Sequence, residues 1–260
     1  MFTMKNYLQA TSLDEAYALR KKSKNNVILG GNLWMKMGSR NINTGIDLCN
    51  LGLNKIEENE EEYKIGCMCS LRDLEVNESL HKTFGGSIKE SLRHIVGVQF
   101  RNTATVGGSI FPRFGFSDVL TMFAALDCYV ELYKGGRVAI KDFIAMKLDE
   151  DILVNIIIKK DGRKASYQTH RMTETDFGVL TCAVACKDGK YTVVLGATPH
   201  KASIVDDVCL EHPENEEELA AFINEVVEKF RFGSNMRGSA EYRKAIAKVL
   251  IKRAVKELGE

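Results

Sequence analysis

The chain has 260 residues, of which 45% are hydrophobic and 27% charged, and this composition is typical of a globular protein with room for two modest domains. Its 36 basic and 35 acidic residues leave a formal net charge of +1, so there is no electrostatic basis for binding nucleic acid or a membrane surface. The N-terminal stretch lacks the apolar core of a signal peptide and no segment is apolar enough to span a bilayer, so we expect a cytoplasmic protein.

The seven cysteines indicate thiols rather than disulfides or metal ligands. Their number is odd and most of them lie in apolar, strand-like runs, which favours buried thiols in a reducing compartment. Neither Cys67 with Cys69 nor Cys182 with Cys186 has a second pair at the spacing of a zinc or iron–sulfur site. We therefore expect no metal ion in this chain.

The first half of the chain predicts short strands and helices separated by glycine turns. Ser12, with Glu15 three residues later, forms a capping box that predicts a helix after it. An apolar run predicts a strand at 27–29, and alternating apolar residues predict another at 63–67. The further predicted elements are a mostly helical segment over 70–96 interrupted at Gly85-Gly86, a helix beginning at Ser117-Asp118, a hairpin turning at Gly135-Gly136 and a β-branched strand over 151–160.

The pattern changes near residue 160. An antiparallel hairpin is predicted to turn at Asp188-Gly189, and two long helices are predicted over 214–230 and 239–258. A strand-rich first half followed by a small sheet with long helices predicts an α+β protein with a boundary near residues 157–162.

Two double-glycine loops are the candidate binding elements. Leu29-Gly30-Gly31-Asn32 and Val106-Gly107-Gly108-Ser109 each follow a short apolar or β-branched run and precede a small polar residue. Glycine lets backbone N–H groups point toward one centre and lets an anion approach closely, so two such loops can hold a diphosphate through amides alone. The second loop lies in the run VQFRNTATVGGSIFP, which otherwise reads as strand-like, and a bend in a sheet is the alternative interpretation.

Signatures of other nucleotide-binding and hydrolytic folds are missing from the sequence. There is no G-x-G-x-x-G after a strand, no G-x-x-x-x-G-K-[ST] and no G-x-S-x-G. For His94 and His170 a solvated or hydrogen-bonded structural role is favoured, and a role in a site is the alternative.

Taken in chain order, four segments resemble the FAD-binding subunit of molybdenum hydroxylases, the family of the xanthine, carbon monoxide and nicotinate dehydrogenases. They are VILGGNLWMKM, IDLCNL, IVGVQFRNTATVGGSIFPRFGFSDVLTMFAALDCYVEL and GSAEYRKAIAKVLIKRA. The most specific part is the Q-x-R-N-x-A-T-x-G-G-[NS]-I run followed by Asp118. The resemblance implies a two-part FAD-binding domain of the vanillyl-alcohol oxidase (PCMH-type) superfamily over 1–158, with parts at about 1–55 and 56–158. It also implies a CO dehydrogenase flavoprotein-like C-terminal domain of a small antiparallel sheet with helices over 159–260.

The resemblance also implies which residues contact FAD. Residues 27–34 would wrap the diphosphate from one side, and the second glycine loop would close over it from the other. Ile95 and Val96 would lie beside the flavin ring, and Arg171 and Asp176 would lie in a mobile loop near it. The full set of implied cofactor-binding residues is Val27, Leu29, Gly30, Gly31, Asn32, Leu33, Trp34, Ile95, Val96, Thr105, Gly107, Gly108, Ser109, Phe111, Asp118, Ile152, Leu153, Arg171 and Asp176.

The chain departs from the family pattern at three places. Ser109 replaces the usual Asn and keeps a hydrogen-bond donor with less reach. The FPRFGF loop after it is bulkier than the family's Ala-Ser-Pro type of loop, and Trp34 is unexpectedly large. These departures concern the shape of the adenosine side of the site more than FAD binding itself.

The resemblance implies an electron-transfer subunit of a hetero-oligomer. In such enzymes a molybdenum subunit hydroxylates the substrate, and electrons pass through two [2Fe–2S] clusters to FAD and on to NAD+ or another acceptor. We expect molybdopterin-binding and iron–sulfur partner subunits, no acid–base catalytic side chain here, and a purine-type substrate, with nicotinate, other N-heterocycles or CO as alternatives. A non-catalytic assembly module and a free-standing flavin oxidase are the competing hypotheses.

Overall fold

A computed structural model describes residues 1–259, which form an α+β structure of twelve strands and eleven α-helices. The strands are β1 (Thr3–Gln9), β2 (Asn26–Leu29), β3 (Asn41–Asp47), β4 (Ile56–Glu58), β5 (Glu62–Gly66), β6 (Cys128–Leu132), β7 (Gly136–Ala139), β8 (Leu153–Lys159), β9 (Lys164–Arg171), β10 (Gly178–Lys187), β11 (Lys190–Gly196) and β12 (Ser203–Cys209). The helices are α1 (Leu13–Lys22), α2 (Leu33–Lys36), α3 (Leu71–Glu75), α4 (Glu78–Thr83), α5 (Ser87–Arg93), α6 (Val98–Thr103), α7 (Val106–Ile110), α8 (Asp118–Ala124), α9 (Ile140–Ala145), α10 (Glu216–Glu228) and α11 (Ala240–Gly259). Within this range no helix combines the length and the apolar character needed to cross a membrane.

The described chain forms two compact units, and neither is continuous in sequence. The first unit comprises Met1–Asp73, Val98–Pro112 and Tyr129–Ile158. The second unit comprises Leu74–Gly97, Arg113–Cys128 and Lys159–Glu260, of which Glu260 lies outside the described residues.

The first unit contains a parallel sheet and a larger sheet. The parallel sheet has the order β1-β3-β2, and the second sheet has the order β4-β5-β8-β6-β7. In the parallel sheet the buried Ile46 of the central strand lies opposite Leu8 on one side and Ile28 on the other. The strands of this sheet are parallel, so their carboxyl ends lie at the same edge. At that edge β2 leads directly into Gly30-Gly31.

The local signals in the sequence are confirmed where they are strongest. The Oγ atom of Ser12 accepts a hydrogen bond from the N–H of Glu15 at 3.1 Å, and α1 begins at the next residue. The Glu15 carboxylate accepts from the N–H of Thr11 at 2.8 Å, so the capping box closes one residue further out than expected. The strand at 27–29, the helix break at Gly85-Gly86, the helix beginning after Ser117 and the hairpins at 135–136 and 188–189 are also confirmed.

The strand-like interpretation of residues 98–112 is wrong, because this segment forms the short helices α6 and α7. The side chain of Thr105 accepts from the N–H of Gly108 and caps α7. The N–H groups of Val106 and Gly107 donate to the carbonyls of Cys69 and Cys67, at 2.9 and 2.8 Å. Thr105 of this run forms an isolated β-bridge with Ser70 and caps α7, so the β-branched residues do not form a strand. Tertiary contacts here override a weak local β propensity.

The second unit is an antiparallel sheet covered by two long helices. Its strand order is β12-β11-β10-β9, and the hairpin between β10 and β11 turns at Asp188-Gly189, which both have positive φ. The core between the sheet and the helices contains alternate residues of β10 and β11 and the inward stripes of α10 and α11, among them Leu180, Cys182, Val193, Leu195, Phe222, Val226, Leu250 and Ile251.

Arg243 of α11 is fully buried in this unit without a carboxylate partner. Its Nε donates to the carbonyl of Val179 at 2.9 Å, and one terminal nitrogen donates to the carbonyls of Gly233, at 2.9 Å, and Gly238. Its other terminal nitrogen donates to Oδ1 of Asn235 at 2.7 Å. A guanidinium offers five fixed donors, so one side chain fastens β10 and the turn before α11 to the helix.

Arg243→Met should destabilise the protein strongly, because it removes the four hydrogen bonds that a fully buried guanidinium donates. We expect the free energy of unfolding to fall by about 3 kcal/mol or more, measured by chemical denaturation. Arg253→Met, at an exposed position of the same helix, is the matched control and should change it by less than about 0.5 kcal/mol. Equal effects of the two substitutions would contradict the anchoring role.

Candidate functional site

The two double-glycine loops lie side by side in the first unit and form what we call the glycine cradle, residues 30–32 and 105–108. A Cβ atom built on Gly30 would lie 2.7 Å from Oγ1 of Thr105 and 3.9 Å from the Cα of Gly108. A Cβ atom on Gly31 would overlap the carbonyl oxygen of Thr103. The backbone of the first loop therefore packs directly on the segment that precedes α7.

The glycines of the cradle serve two different purposes. Gly31 and Gly107 are packing residues, since a Cβ on Gly107 would lie 2.8 Å from the carbonyl oxygen of Cys67. Gly108 is exposed, and a Cβ there would meet only Oγ1 of Thr105, at 3.0 Å, within 4 Å. One pair of glycines thus permits backbone contact, whereas Gly108 keeps the outer surface of the cradle free of a side chain.

The first loop presents three consecutive unused amide donors. Among residues 1–259, the N–H groups of Gly31, Asn32 and Leu33 have no hydrogen-bond acceptor. In the second loop, by contrast, the four consecutive amides from Val106 to Ser109 donate to Cys69, Cys67 and Thr105. The amides of Val106 to Ser109 are therefore engaged within the protein, whereas those of Gly31, Asn32 and Leu33 are available to a ligand.

Asn32 gives the first loop its conformation. Its φ is +60°, in the left-handed region that asparagine adopts more readily than most residues, and it turns the chain into α2. Its buried Oδ1 accepts no hydrogen bond from any described residue. Free backbone donors, an unpartnered side-chain acceptor and a surface bare of Cβ atoms fit a ligand that carries both a diphosphate and hydroxyl groups.

The other residues of the first unit that are predicted to contact FAD lie outside the cradle. Val27 and Leu29 lie in β2, and Leu33 and Trp34 lie in α2, where the indole is 44% exposed. The Oγ of Ser109 donates to the carbonyl of Thr105 at 3.0 Å, so it is engaged within α7. Phe111 packs near Phe143, with ring centroids 6.3 Å apart, and Ile152 and Leu153 are buried.

In the second unit, Asp118 is the centre of a buried polar cluster. The Tyr167 hydroxyl donates to Oδ1 of Asp118 at 2.5 Å, and Arg171 donates to the same oxygen. Arg171 also donates to the backbone carbonyl of Asp176 at 2.5 Å. Burial raises the pKa of the Asp118 carboxyl, and the Arg171 guanidinium and the Tyr167 hydroxyl oppose that rise. The structure thus brings together Asp118, Arg171 and Asp176, which lie up to 58 residues apart in sequence.

Sequence reasoning missed the residues that complete this cluster. Tyr167 lies on β9, and Arg237 forms an ion pair of 3.5 Å with Asp176 while its guanidinium lies 5.2 Å from the ring centroid of Phe177. Phe116 contacts that ring edge-on at 5.1 Å and stacks on Phe114 at 5.1 Å. Phe116 of the bulky FPRFGF loop therefore packs on the segment after Arg171, and Phe114 stacks on Phe116. No local sequence signal identifies these partners.

Ile95 and Val96 lie in the turn between α5 and α6. Val96 has a φ of +52°, which is costly for a β-branched residue, and its side chain is 52% exposed. Such strained positions concentrate at functional sites, so the backbone here is consistent with a constrained role. Next to them, His94 has its pKa lowered by burial and by the nearby Arg93 and Arg171.

Comparison with known proteins identifies the family. The family described as the FAD binding domain in molybdopterin dehydrogenase matches residues 2–160, and the CO dehydrogenase flavoprotein C-terminal domain matches residues 165–258. The chain belongs to this flavoprotein family. The resemblance seen in the sequence and FAD as the cofactor are therefore confirmed, as is the fold of an FAD-binding domain followed by a C-terminal antiparallel sheet with helices.

Individual members of the family are distant in sequence and similar in structure. The nicotine 6-hydroxylase medium subunit of Paenarthrobacter nicotinovorans is 24% identical, with 97% of this chain and 96% of that protein covered. The reconstituted CO dehydrogenase from Oligotropha carboxidovorans has a chain with a TM-score of 0.86 at 22% identity, covering 98% and 96% of the two chains. Quinoline 2-oxidoreductase from Pseudomonas putida 86 has one with a TM-score of 0.85 at 17% identity, covering 99% and 98%.

Gly31→Ala should displace the first loop of this flavoprotein, because the new methyl group overlaps backbone rather than a flexible side chain. We expect a loss of about 1–3 kcal/mol in the free energy of unfolding together with loss of bound FAD, measured by denaturation and by flavin absorbance. Gly38→Ala is the control, since its Cβ would have only the Met35 carbonyl oxygen nearby, at 3.7 Å. A Gly31→Ala protein with normal stability would refute the packing role.

Asp118→Asn should leave the buried Arg171 charge without a counter-ion. We expect the free energy of unfolding to fall by about 3 kcal/mol, because an unpaired buried charge is strongly destabilising. In Asp176→Asn the backbone carbonyl that binds Arg171 is retained and only a partly exposed ion pair is lost, so we expect a change below about 1 kcal/mol. Denaturant titration of both variants tests the difference, and a smaller effect at Asp118 would contradict it.

Proposed function

We propose that this chain is the electron-exit subunit of a molybdenum hydroxylase complex. FAD, when bound, supplies the redox chemistry by taking electrons from the [2Fe–2S] clusters of a partner subunit and passing them to NAD+ or another acceptor. The glycine cradle is the observation that carries the proposal, together with the match of the chain to the FAD-binding family.

In this proposal the first loop binds the diphosphate of FAD. The N–H groups of Gly31, Asn32 and Leu33 would donate to phosphate oxygens, and the side-chain Oδ1 of Asn32 would accept from a cofactor hydroxyl. Gly108 lets the phosphates approach the backbone from the other side. For the remaining predicted contacts, including Ile95, Val96, Asp118, Arg171 and Asp176, a role toward FAD stays a prediction. We expect no side chain of this chain to act as an acid or base on the organic substrate.

The partners follow from the names of the relatives. One relative is a medium subunit, and another, from the same organism and 19% identical, is named subunit alpha of the 6-hydroxypseudooxynicotine dehydrogenase complex. We infer that this chain assembles with a molybdopterin-binding subunit and an iron–sulfur subunit. None of the seven cysteines forms a disulfide within residues 1–259, which is consistent with work in the reducing cytoplasm.

We propose a nitrogen heterocycle as the substrate of the complex. The support for this class is the name of the nicotine 6-hydroxylase medium subunit, which is 24% identical over nearly the whole chain. The purine preference drawn from the sequence stays a prediction within the class. Assay of the purified complex with xanthine, nicotinate and CO distinguishes the three, and oxidation of CO alone would overturn the heterocycle proposal.

Gly108→Asp tests the cradle directly. The new carboxylate would stand where the diphosphate approaches, and charge repulsion with the desolvated phosphates should abolish the yellow flavin spectrum while the fold is retained. Gly259→Asp introduces the same charge in open space and should keep full FAD content. Normal flavin content in Gly108→Asp would show that the second loop does not face the cofactor.

Reduction of the bound flavin by NADH separates the electron-transfer subunit from a non-catalytic assembly module. An electron-exit subunit that uses NAD+ should exchange electrons with NADH, so the flavin absorbance should bleach under anaerobic conditions. A flavin that neither NADH nor dithionite-reduced partner subunits can reduce would favour the assembly module. A stable monomer with oxidase activity of its own would favour the free-standing enzyme.

A further inference from the structure

An open groove of about 400 Å³ lies between α10 and α11 on the second unit. Its floor is apolar, since it is formed by Leu219, Ala220, Ile223 and Val249. The first and third of these are buried, whereas Ala220 is exposed and Val249 is 43% exposed. Exposed apolar side chains inside a concave surface are typical of binding grooves rather than of a solvated helix face.

The rim of the groove is basic. Lys248, Lys252, Arg253 and Lys256 repeat along one stripe of α11, at the spacing that places side chains on one face of a helix. Glu216 of α10 is the acidic side chain in the lining, and it pairs with Lys252 and Lys256 at 2.5 Å each. Lys248 and Arg253 have no ion-pair partner among residues 1–259. The lining therefore carries four cationic residues against one anionic residue.

We propose that this groove docks an acidic amphipathic segment of another subunit of the complex. Apolar side chains of that segment would fill the space over Val249 and Ala220, and its carboxylates would pair with Lys248 and Arg253. Complementary charge around an apolar centre sets both the partner and its register. The inference rests on the proposed function, since it assumes that the chain works in a hetero-oligomer.

A second copy of this chain fits the groove less well. Its most acidic run, residues 57–62, has the sequence EENEEE and contains no apolar side chain that could fill the floor. The Tyr63 that follows the run is fully buried. The groove needs carboxylates and exposed apolar residues on the same segment, so we commit to a different chain.

Charge reversal in the complex tests the proposal. The groove variant is Lys248→Glu/Arg253→Glu, and the tagged chain is purified together with its bound subunits. The control variant, Lys82→Glu/Lys89→Glu, makes the same charge change at two exposed lysines of α4 and α5. Molybdenum and iron per FAD measure the partners, and FAD per chain and the melting temperature measure the fold. We expect the groove variant to lose about tenfold or more of both metals with unchanged FAD content, and the control to keep them.

A photo-crosslinking amino acid at position 249 identifies the occupant. We expect a crosslink to a metal-bearing subunit, within a segment that carries carboxylates on one face and apolar residues on the other. A crosslink to a second copy of this chain, or full metal content in the groove variant, would overturn the docking proposal alone. A wild-type chain that purifies with neither metal would overturn the proposed function, and the docking proposal with it.

Discussion

The direct packing of backbone on backbone at the glycine cradle is the constraint on which the proposed cofactor site depends. Gly31 lies against the carbonyl of Thr103, and Gly107 lies against the carbonyl of Cys67, so the positions of both loops are set by contacts that no side chain could share. Four amides of the second loop are then used to hold it in place, whereas those of Gly31, Asn32 and Leu33 have no acceptor among residues 1–259. A rigid loop beside a loop with free donors is preorganised for an anion, which limits the ordering cost of binding.

Two guanidinium groups are buried in the second unit, and they have different kinds of partner. Arg243 is neutralised by no carboxylate and is held by carbonyl dipoles, an arrangement that fixes β10 to α11. Arg171 shares a carboxylate with Tyr167 and at the same time binds the backbone at Asp176. The partners of Arg243 are the carbonyl of Val179 in β10 and groups of the segment 233–238 that precedes α11. The arrangement at Arg171 joins a buried ion pair to an exposed loop whose Phe177 also contacts Phe116 and Arg237, so the position of that loop and the charge state of Asp118 depend on each other.

A net charge near zero conceals an uneven distribution of charge in this chain. The basic stripe on α11 and the acidic run at 57–62 almost cancel in the total, yet each is a concentrated local charge. The net charge gives no electrostatic reason to expect nucleic acid as a partner, and it carries no information about local docking surfaces. If the chain is a subunit of a hetero-oligomer, as proposed, such local charges are suited to orienting its partners.

The sequence by itself determined the family, the cofactor and the elements whose signals are local. The Ser12 cap, the turns at 135–136 and 188–189 and the two long helices depend on residues close together in the chain, so they were predicted from the sequence. Only the tertiary structure decided that residues 98–112 are helical, that the second glycine loop uses its own amides, and that Tyr167 and Arg237 join the Asp118 cluster. These features arise from contacts between segments far apart in sequence, such as Val106 with Cys69 and Asp118 with Tyr167. A single sequence carries no physical signal for such contacts, because the energy that selects them appears only when the chain is packed.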